Sequence, residues 1–331
     1  MTTQSSTSED GSRLPAVAGF PSHPAAWYYF CEEKALAKGP VGLRHWTRDL
    51  VAFRTESGEV AVLDAQCSHL GANLACGKVV GETIRCPFHH WAFGTDGICR
   101  KIPAATAIPP FARQISFPVM VRHGSVFFFN GSKATYSLPF FENESPENFV
   151  AGNVFSYQAD ASWLMVASQA FDTQHFESVH DRRLLQPPEL RQVSPFALRA
   201  FYQALNVGEE WRDILLRALV GKAVEVTIHN WGGTMFLVTA RFPLACSRFL
   251  VSFRPQEDGR THFDVIIFTP RGMASLSRPM RRWLTRAHLK AEAALIRGTR
   301  YRPSNLIPED GGMRQCFQWL AAIPQRATPA Q

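Results

Sequence analysis

Two short stretches of this 331-residue sequence decide its fold: CSHLGA at residues 67–72 and CPFHHW at residues 86–91. Each stretch supplies one cysteine and one histidine, spaced C-x-H in the first and C-x2-H in the second, with sixteen residues between the first histidine and the second cysteine. Thiolates and imidazoles are the ligands that iron–sulfur and zinc centres use. The pattern therefore predicts a metal centre held by two facing loops. Its candidate ligands are Cys67, His69, Cys86 and His89.

The mixed composition of each half favours an iron–sulfur cluster over zinc. In a Rieske [2Fe–2S] cluster two thiolates hold one iron and two imidazoles hold the other, which raises the reduction potential above that of an all-cysteine cluster. A tetrahedral zinc site is the alternative, but zinc knuckles usually pair cysteine with cysteine and histidine with histidine within each half. Rieske proteins of respiratory complexes carry a disulfide at the positions where this chain has Ala72 and Phe88. The loops therefore predict the lower-potential cluster of oxygenases and their ferredoxins.

The composition predicts two domains in a reducing compartment. A chain of 331 residues can form two domains, and 46% hydrophobic residues with 25 phenylalanines indicate a sizeable core. The cysteines outside the motif lack the spacing of a disulfide framework. The net charge of +7 is not arranged in basic blocks with interleaved aromatic residues, so nucleic-acid binding is not expected. Residues 1–13 are polar and no apolar run approaches the roughly 20 residues of a membrane helix, so we expect a soluble, cytoplasmic protein without a transmembrane segment.

The pattern of elements changes near residue 137. Short apolar runs separated by turns fill residues 27–131, which predicts an all-β domain. Beyond it, helical periodicity occurs at residues 162–180, 209–220 and 277–300. Four strand-like runs lie between the last two helices, at residues 223–230, 234–242, 248–253 and 261–269. Consecutive strands flanked by long helices predict an α+β, START-like domain with an antiparallel sheet.

A second candidate metal site lies at FDTQHFESVH, residues 171–180. With a carboxylate from elsewhere in the chain, His175 and His180 could form the facial triad of two histidines and one carboxylate that leaves positions open on Fe(II). A spacing of five does not place two side chains on one face of an ideal helix, so a bend or break is expected between residues 176 and 178. From this spacing alone, histidines on the surface or in the core are the simpler interpretation.

Taken together, the two motifs resemble those of the catalytic α subunits of Rieske non-haem iron oxygenases, over roughly residues 25–305. The family's iron motif D-x2-H-x4-H is matched by Asp172, His175 and His180. The resemblance implies a homotrimer in which Asp172 reaches His89 of a neighbouring subunit and carries the electron between the centres. It also implies four segments: a disordered tail at 1–24, a Rieske [2Fe–2S] domain at 25–135, a mononuclear-iron catalytic domain at 136–320 and a C-terminal tail at 321–331.

The sequence departs from the family pattern at two positions. The family's third iron ligand, an aspartate in a late helix, corresponds to Glu292, whose side chain is one methylene longer. An exposed helix carboxylate beside Lys290 is the alternative interpretation of Glu292. The family usually has glycine where this chain has His90, so a side chain there implies crowding near the cluster or an unusual backbone.

Residues 50–99 are most similar to cholesterol 7-desaturases of the Neverland type and to the oxygenase component of 3-ketosteroid 9α-hydroxylase. The resemblance implies an enzyme that uses O2 and two electrons to hydroxylate, desaturate or demethylate an apolar, steroid-like small molecule. Because the chain has no G-x-G-x-x-G unit for NAD(P)H, a flavin-dependent NAD(P)H reductase, a ferredoxin or both would supply the electrons. The rival interpretations are a non-catalytic electron-transfer protein and a START-like lipid-binding module, each with a defective iron site.

Overall fold

The computed structural model describes residues 19–21, 23–272 and 277–325. In these residues the strands are β1 (Trp27–Glu32), β2 (Val41–His45), β3 (Arg48–Arg54), β4 (Val60–Asp64), β5 (Lys78–Val80), β6 (Thr83–Arg85), β7 (Ala92–Gly94), β8 (Cys99–Lys101), β9 (Ser116–Phe117), β10 (Val119–Arg122), β11 (Ser125–Phe129), β12 (Phe149–Ala151), β13 (Phe155–Ala159), β14 (Arg182–Leu184), β15 (Glu189–Ser194), β16 (Ala197–Asn206), β17 (Ala223–Trp231), β18 (Met235–Arg241), β19 (Cys246–Pro255) and β20 (Thr261–Pro270). The helices are α1 (Trp163–Gln169), α2 (Thr173–Ser178), α3 (Trp211–Val220), α4 (Ser277–Leu295) and α5 (Gly311–Ala322). Within this part of the chain, no helix combines the length and apolar character needed to cross a membrane.

The two cysteine–histidine loops belong to an all-β region of three small antiparallel sheets. The strand orders are β1-β11-β10, β2-β3-β4-β9 and β5-β6-β7-β8. The first loop follows β4 and the second joins β6 to β7, so the loops extend from different sheets. Their cysteines, Cys67 and Cys86, are buried in one core that both four-stranded sheets share. The predicted all-β domain is confirmed.

Strands β1 and β11 connect this region to the rest of the molecule. Alternate residues along a strand point to opposite faces of a sheet. On β1, Tyr28 packs into a core with the sheet formed by β2, β3, β4 and β9. Trp27 and Tyr29 point the other way and pack into a second core with residues of β18, β19 and β20. The Tyr29 amide also donates to Ser252 Oγ at 3.0 Å. Because both faces are buried, these strands are apolar throughout instead of alternating with polar residues.

The second region is a nine-stranded antiparallel sheet with helices packed against it. Its main order is β12-β20-β19-β18-β17-β16-β14, with β13 paired to β20 and β15 paired to β16. Helices α1 and α5 pack against one another and share an apolar core with β16, β19 and β20. All four strand-like runs predicted here are strands, β17 to β20. The predicted α+β domain with an antiparallel sheet is confirmed.

Two details differ from the predicted elements. The helix expected at residues 162–180 is divided into α1 and α2. Strand β16 and helix α5 were not predicted at all. The sequence of β16, ALRAFYQALN, is rich in helix-forming residues. It is extended because β15 and β17 pair along both of its edges, so tertiary pairing overrides local propensity.

The segment boundaries at 25, 135 and 320 stay predictions. Residues 1–18, 22 and 326–331 of the two predicted tails lie outside the described residues. The described parts of both tails are packed: Phe20 lies 5.1 Å from Tyr301 between ring centroids, Ile323 is buried, and Pro24 pairs with Gln325.

Candidate functional site

The cluster loops form a pocket lined by buried sulfur. Cys67 and Cys86 are 3% and 2% exposed. Backbone hydrogen bonds fix both loops, since the Cys67 amide donates to the Ala72 carbonyl at 2.9 Å and the Cys86 amide donates to the Trp91 carbonyl at 2.8 Å. Burial raises the pKa of the Cys67 thiol to about 11, and the neighbouring Cys86 adds to the shift. A thiol in this environment ionises when a metal takes the proton's place.

The two candidate histidine ligands lie close to one another. The ring centroids of His69 and His89 are 4.8 Å apart. Trp91 stacks on His69 at 4.4 Å with an interplanar angle of 7°, which fixes the orientation of the imidazole. His69 Nδ1 is buried without a hydrogen-bond partner among the described residues. A buried, unpaired ring nitrogen is costly unless something binds it, so this atom fits a ligand to the cluster.

Gln114 is a structural residue of this pocket that the sequence patterns missed. Its Oε1 accepts from the Ser68 amide at 3.1 Å, and its Nε2 donates to the Asp64 and Gln66 carbonyls at 3.1 and 2.8 Å. These three bonds hold the first loop in place from 46 or more residues away. No local motif marks Gln114, because its function depends on the fold.

The histidine edge of the cluster loops is open to solvent. His89 is exposed, and the adjoining apolar side chains Leu70 and Phe88 are 65% and 61% exposed. Phe111, near Trp91 at 6.2 Å between ring centroids, is 62% exposed. Exposed apolar side chains grouped around a redox centre are typical of a surface that another protein covers.

His90 has the unusual backbone that the sequence predicted. Its φ is +59°, in the left-handed region where a Cβ atom is strained and glycine is not. The side chain is exposed and does not crowd the cluster pocket. The departure from glycine therefore costs conformational energy without altering the four candidate ligands.

Replacing His90 with glycine should stabilise the cluster domain by about 1 kcal/mol, because relief of the left-handed strain exceeds the added entropy of the unfolded chain. Urea unfolding of the variant would show a higher midpoint and an unchanged dependence of the unfolding free energy on urea. The visible spectrum of the folded variant would be unchanged. His90→Ala keeps the Cβ atom and serves as the control. Equal stabilisation by alanine would contradict a backbone cause.

The second candidate site is assembled from three elements. His175 lies within α2, His180 follows the end of that helix, and Glu292 lies in the last turn of α4. His175 Nε2 is 3.0 Å from Glu292 Oε2, and His180 Nε2 is 3.4 Å from Glu292 Oε1. One ligand atom from each of the three half-buried residues lies within 4.8 Å of the others. This geometry fits a single metal ion bound by two histidines and one carboxylate.

The predicted interruption of the helix is what brings the two histidines together. Helix α2 ends at Ser178, and Asp181 adopts a left-handed φ of +49° just after His180. The two imidazoles are 5.0 Å apart between centroids and nearly perpendicular, at 89°. Asp172 is the N-cap of α2, and its Oδ1 accepts from the His175 amide at 3.0 Å. It thereby helps to fix the position of His175.

The surroundings hold His180 and Glu292 in the protonation states that a metal requires. Burial lowers the pKa of His180 to about 4, against the opposing effect of Glu292. Burial disfavours ionisation of Glu292, but its hydrogen bond with His175 and the charges of His180, His288 and His175 together lower its pKa below the usual value. Neutral imidazole and ionised carboxylate are the forms that bind Fe(II).

Gln169 and His288 complete the surroundings, and the sequence patterns identified neither. Gln169, the last residue of α1, donates from Nε2 to Glu292 Oε2 at 2.9 Å, and the same atom is 3.1 Å from His175 Nε2. His288 lies 5.1 Å from His180 between ring centroids. The spacing of four between His288 and Glu292 on a predicted helix could have revealed His288, whereas nothing in the sequence indicates Gln169.

Replacing Gln169 with leucine should weaken metal binding at this site by about 10- to 100-fold, because Glu292 loses the donor that orients it. Fe(II) content after dialysis against graded chelator would measure the change. Gln174→Leu is the matched control, since Gln174 Nε2 bonds to Asp310 at 2.8 Å. The same iron content in both variants would contradict the orienting function.

Comparison with known proteins agrees with this geometry. Residues 26–112 match the Rieske [2Fe-2S] domain family. The chain is 36% identical over 177 residues to cholesterol 7-desaturase nvd of Xenopus laevis, covering 52% of this chain and 39% of that protein. It is 27% identical over 242 residues to aminopyrrolnitrin oxygenase PrnD of Pseudomonas fluorescens, covering 69% of this chain and 63% of that protein. The chain thus spans less than two thirds of the length of either relative.

The fold comparison extends over nearly the whole chain. The structure of dicamba monooxygenase with non-heme iron and dicamba superposes with a TM-score of 0.69 at 18% identity, covering 91% of this chain and 96% of that one. This chain therefore contains a Rieske [2Fe–2S] domain, and over most of its length it has the fold that dicamba monooxygenase adopts. The Rieske match favours the cluster over the zinc alternative at the first site.

Proposed function

We propose that this chain is the oxygenase component of a Rieske non-haem iron enzyme that oxidises an apolar small molecule with O2. The observation that carries the proposal is the convergence of His175, His180 and Glu292, which are separated by up to 117 residues in sequence. A fold that only transferred electrons or bound lipid would have no need to bring these three groups within 4.8 Å of one another.

The residues of the chain divide the chemistry between two centres. Cys67, Cys86, His69 and His89 are the proposed ligands of the cluster. His175, His180 and Glu292 are the proposed ligands of Fe(II), with Glu292 in place of an aspartate. Bound Fe(II) would supply the activation of O2 with electrons from the cluster. The protein contributes the neutral imidazole of His180, the ionised carboxylate of Glu292 and the orientation of that carboxylate by Gln169.

The electrons come from outside the chain and, we propose, pass between subunits. A flavin-dependent NAD(P)H reductase, a ferredoxin or both would reduce the cluster. The cluster cysteines Cys67 and Cys86 belong to one apolar core and α1 and α2 to another, and the proposed route runs within a homotrimer from the cluster of one subunit to the iron of the next. The exposed side chains of Leu70 and Phe88 would be covered in that contact. The seven cysteines, all in described residues, form no disulfide, which suits the cytoplasm.

The substrate class proposed is an apolar small molecule, with steroids first. The core next to the iron site is built from Phe171, Phe176 and Ile296 among others. Similarity to a cholesterol 7-desaturase favours a steroid nucleus. Hydroxylation, desaturation and demethylation all begin at a C–H bond placed beside the metal.

Iron quantification and product analysis test the proposal together. The reduced protein would be incubated with a panel of steroids without oxygen, exposed to O2 and analysed by mass spectrometry. An oxidised or desaturated product with three irons per chain is expected. Two irons per chain and no product would instead support the electron-transfer alternative.

A further inference from the structure

We propose that His288 forms a hydrogen bond to the molecule bound at the open side of the iron site. The inference rests on the proposed function, because it requires a metal ion held by His175, His180 and Glu292. It adds a residue that would contact the reacting ligand.

His288 is placed at the site by the orientation of α4. Residues four apart lie on the same face of a helix, so His288 and Glu292 are neighbours one turn apart. Leu289 and Ala293 pack against the apolar core, which fixes the rotation of the helix. The imidazole of His288 is 5.1 Å from that of His180 between centroids, at an interplanar angle of 41°. That separation is close to the 5.0 Å between the two candidate histidine ligands.

The position of His288 differs from that of a ligand. The group whose ligand atoms all approach within 4.8 Å comprises His175, His180 and Glu292 without His288. Those three residues are half-buried, whereas the side chain of His288 reaches solvent. His288 therefore lies beside the ligand set and is more exposed than the three residues that form it.

The chemistry of the open side suits a hydrogen-bond donor. A facial triad leaves coordination positions for exogenous oxygen-containing or anionic molecules. A neutral imidazole has one N–H donor and one acceptor nitrogen. A donor next to a metal-bound acceptor strengthens its binding and orients it, and this effect is larger where the acceptor is charged. His288 would act on the ligand directly, unlike Gln169, which acts through Glu292.

Azide binding tests this assignment without turnover. The protein would carry an oxidised, EPR-silent cluster and Co(II) in the mononuclear site, and azide would be titrated while the cobalt EPR signal is followed. His288→Phe should weaken azide binding about tenfold or more, because the donor is lost. His288→Gln keeps an N–H donor and should stay within about threefold of the unchanged protein. Co(II) affinity should be the same in all three.

The outcomes separate this proposal from the proposed function. Lys290→Ala, an exposed change on the same helix, is the control and should leave azide binding unchanged. Equal azide affinity in His288→Phe and the unchanged protein would overturn the hydrogen bond. A fall in Co(II) affinity in His288→Phe would also overturn it, by making His288 a ligand. Failure of the unchanged protein to bind Co(II) would overturn the proposed iron site itself.

Discussion

Replacing His175 with alanine should remove the mononuclear iron and all product while leaving the cluster intact. His175 supplies one of three candidate ligand atoms and also bonds to Glu292 at 3.0 Å, so its loss removes a ligand and one of the contacts that position the carboxylate. The cluster loops lie in a separate core, which has no contact with this change. We expect iron to fall from three to two per chain, with an unchanged visible spectrum and no detectable turnover.

The control for this variant is a change on the same short helix that spares the site. Glu177 is exposed on α2, so Glu177→Ala should keep three irons and full turnover. Iron analysis, visible absorption and product formation would be measured on the same preparations. Full turnover by His175→Ala would show that the facial-triad assignment is wrong.

The cluster loops could be predicted from sequence because their information is local. Each loop carries its cysteine and histidine within four residues, and a short strand precedes each loop. An unusual backbone at His90 was one of the two expectations drawn from the same loop, because histidine stands where glycine is expected, and the structure shows a left-handed φ there. The structural function of Gln114 could not be predicted from the sequence, because Gln114 contacts the loop from 46 or more residues away and no spacing identifies it.

The iron site was harder to predict from the sequence, because its residues are brought together by contacts between distant parts of the chain. The spacing of His175 and His180 required a break in the helix, and the structure has one where α2 ends at Ser178. Glu292 was placed by resemblance alone, as 117 residues separate it from His175. Gln169 was missed because its function arises from the end of α1, a boundary that periodicity cannot locate.

Asp172→Asn should slow electron transfer between the two centres by about 100-fold while keeping both of them. Asparagine caps a helix as well as aspartate does, so the bond from the His175 amide and the position of α2 should be preserved. What is lost is the negative charge proposed to face a cluster histidine of the neighbouring subunit. Stopped-flow oxidation of the reduced cluster by O2 would measure the rate. Asp181→Asn, at an exposed carboxylate nearby, should leave that rate unchanged.

Mixed trimers decide whether the electron crosses a subunit boundary. His89→Ala chains lose the cluster ligand but keep Asp172 and the iron site, and because His89 is exposed the apolar core is not disturbed. Asp172→Asn chains keep the cluster but lose the carboxylate. Each variant alone should be nearly inactive. In a mixture refolded together, a His89→Ala chain can use the cluster of an Asp172→Asn neighbour, so activity should return in proportion to the interfaces that pair the two. If verified mixed trimers stay as inactive as the separate variants, the electron travels within one chain and the proposed function of Asp172 between subunits is wrong.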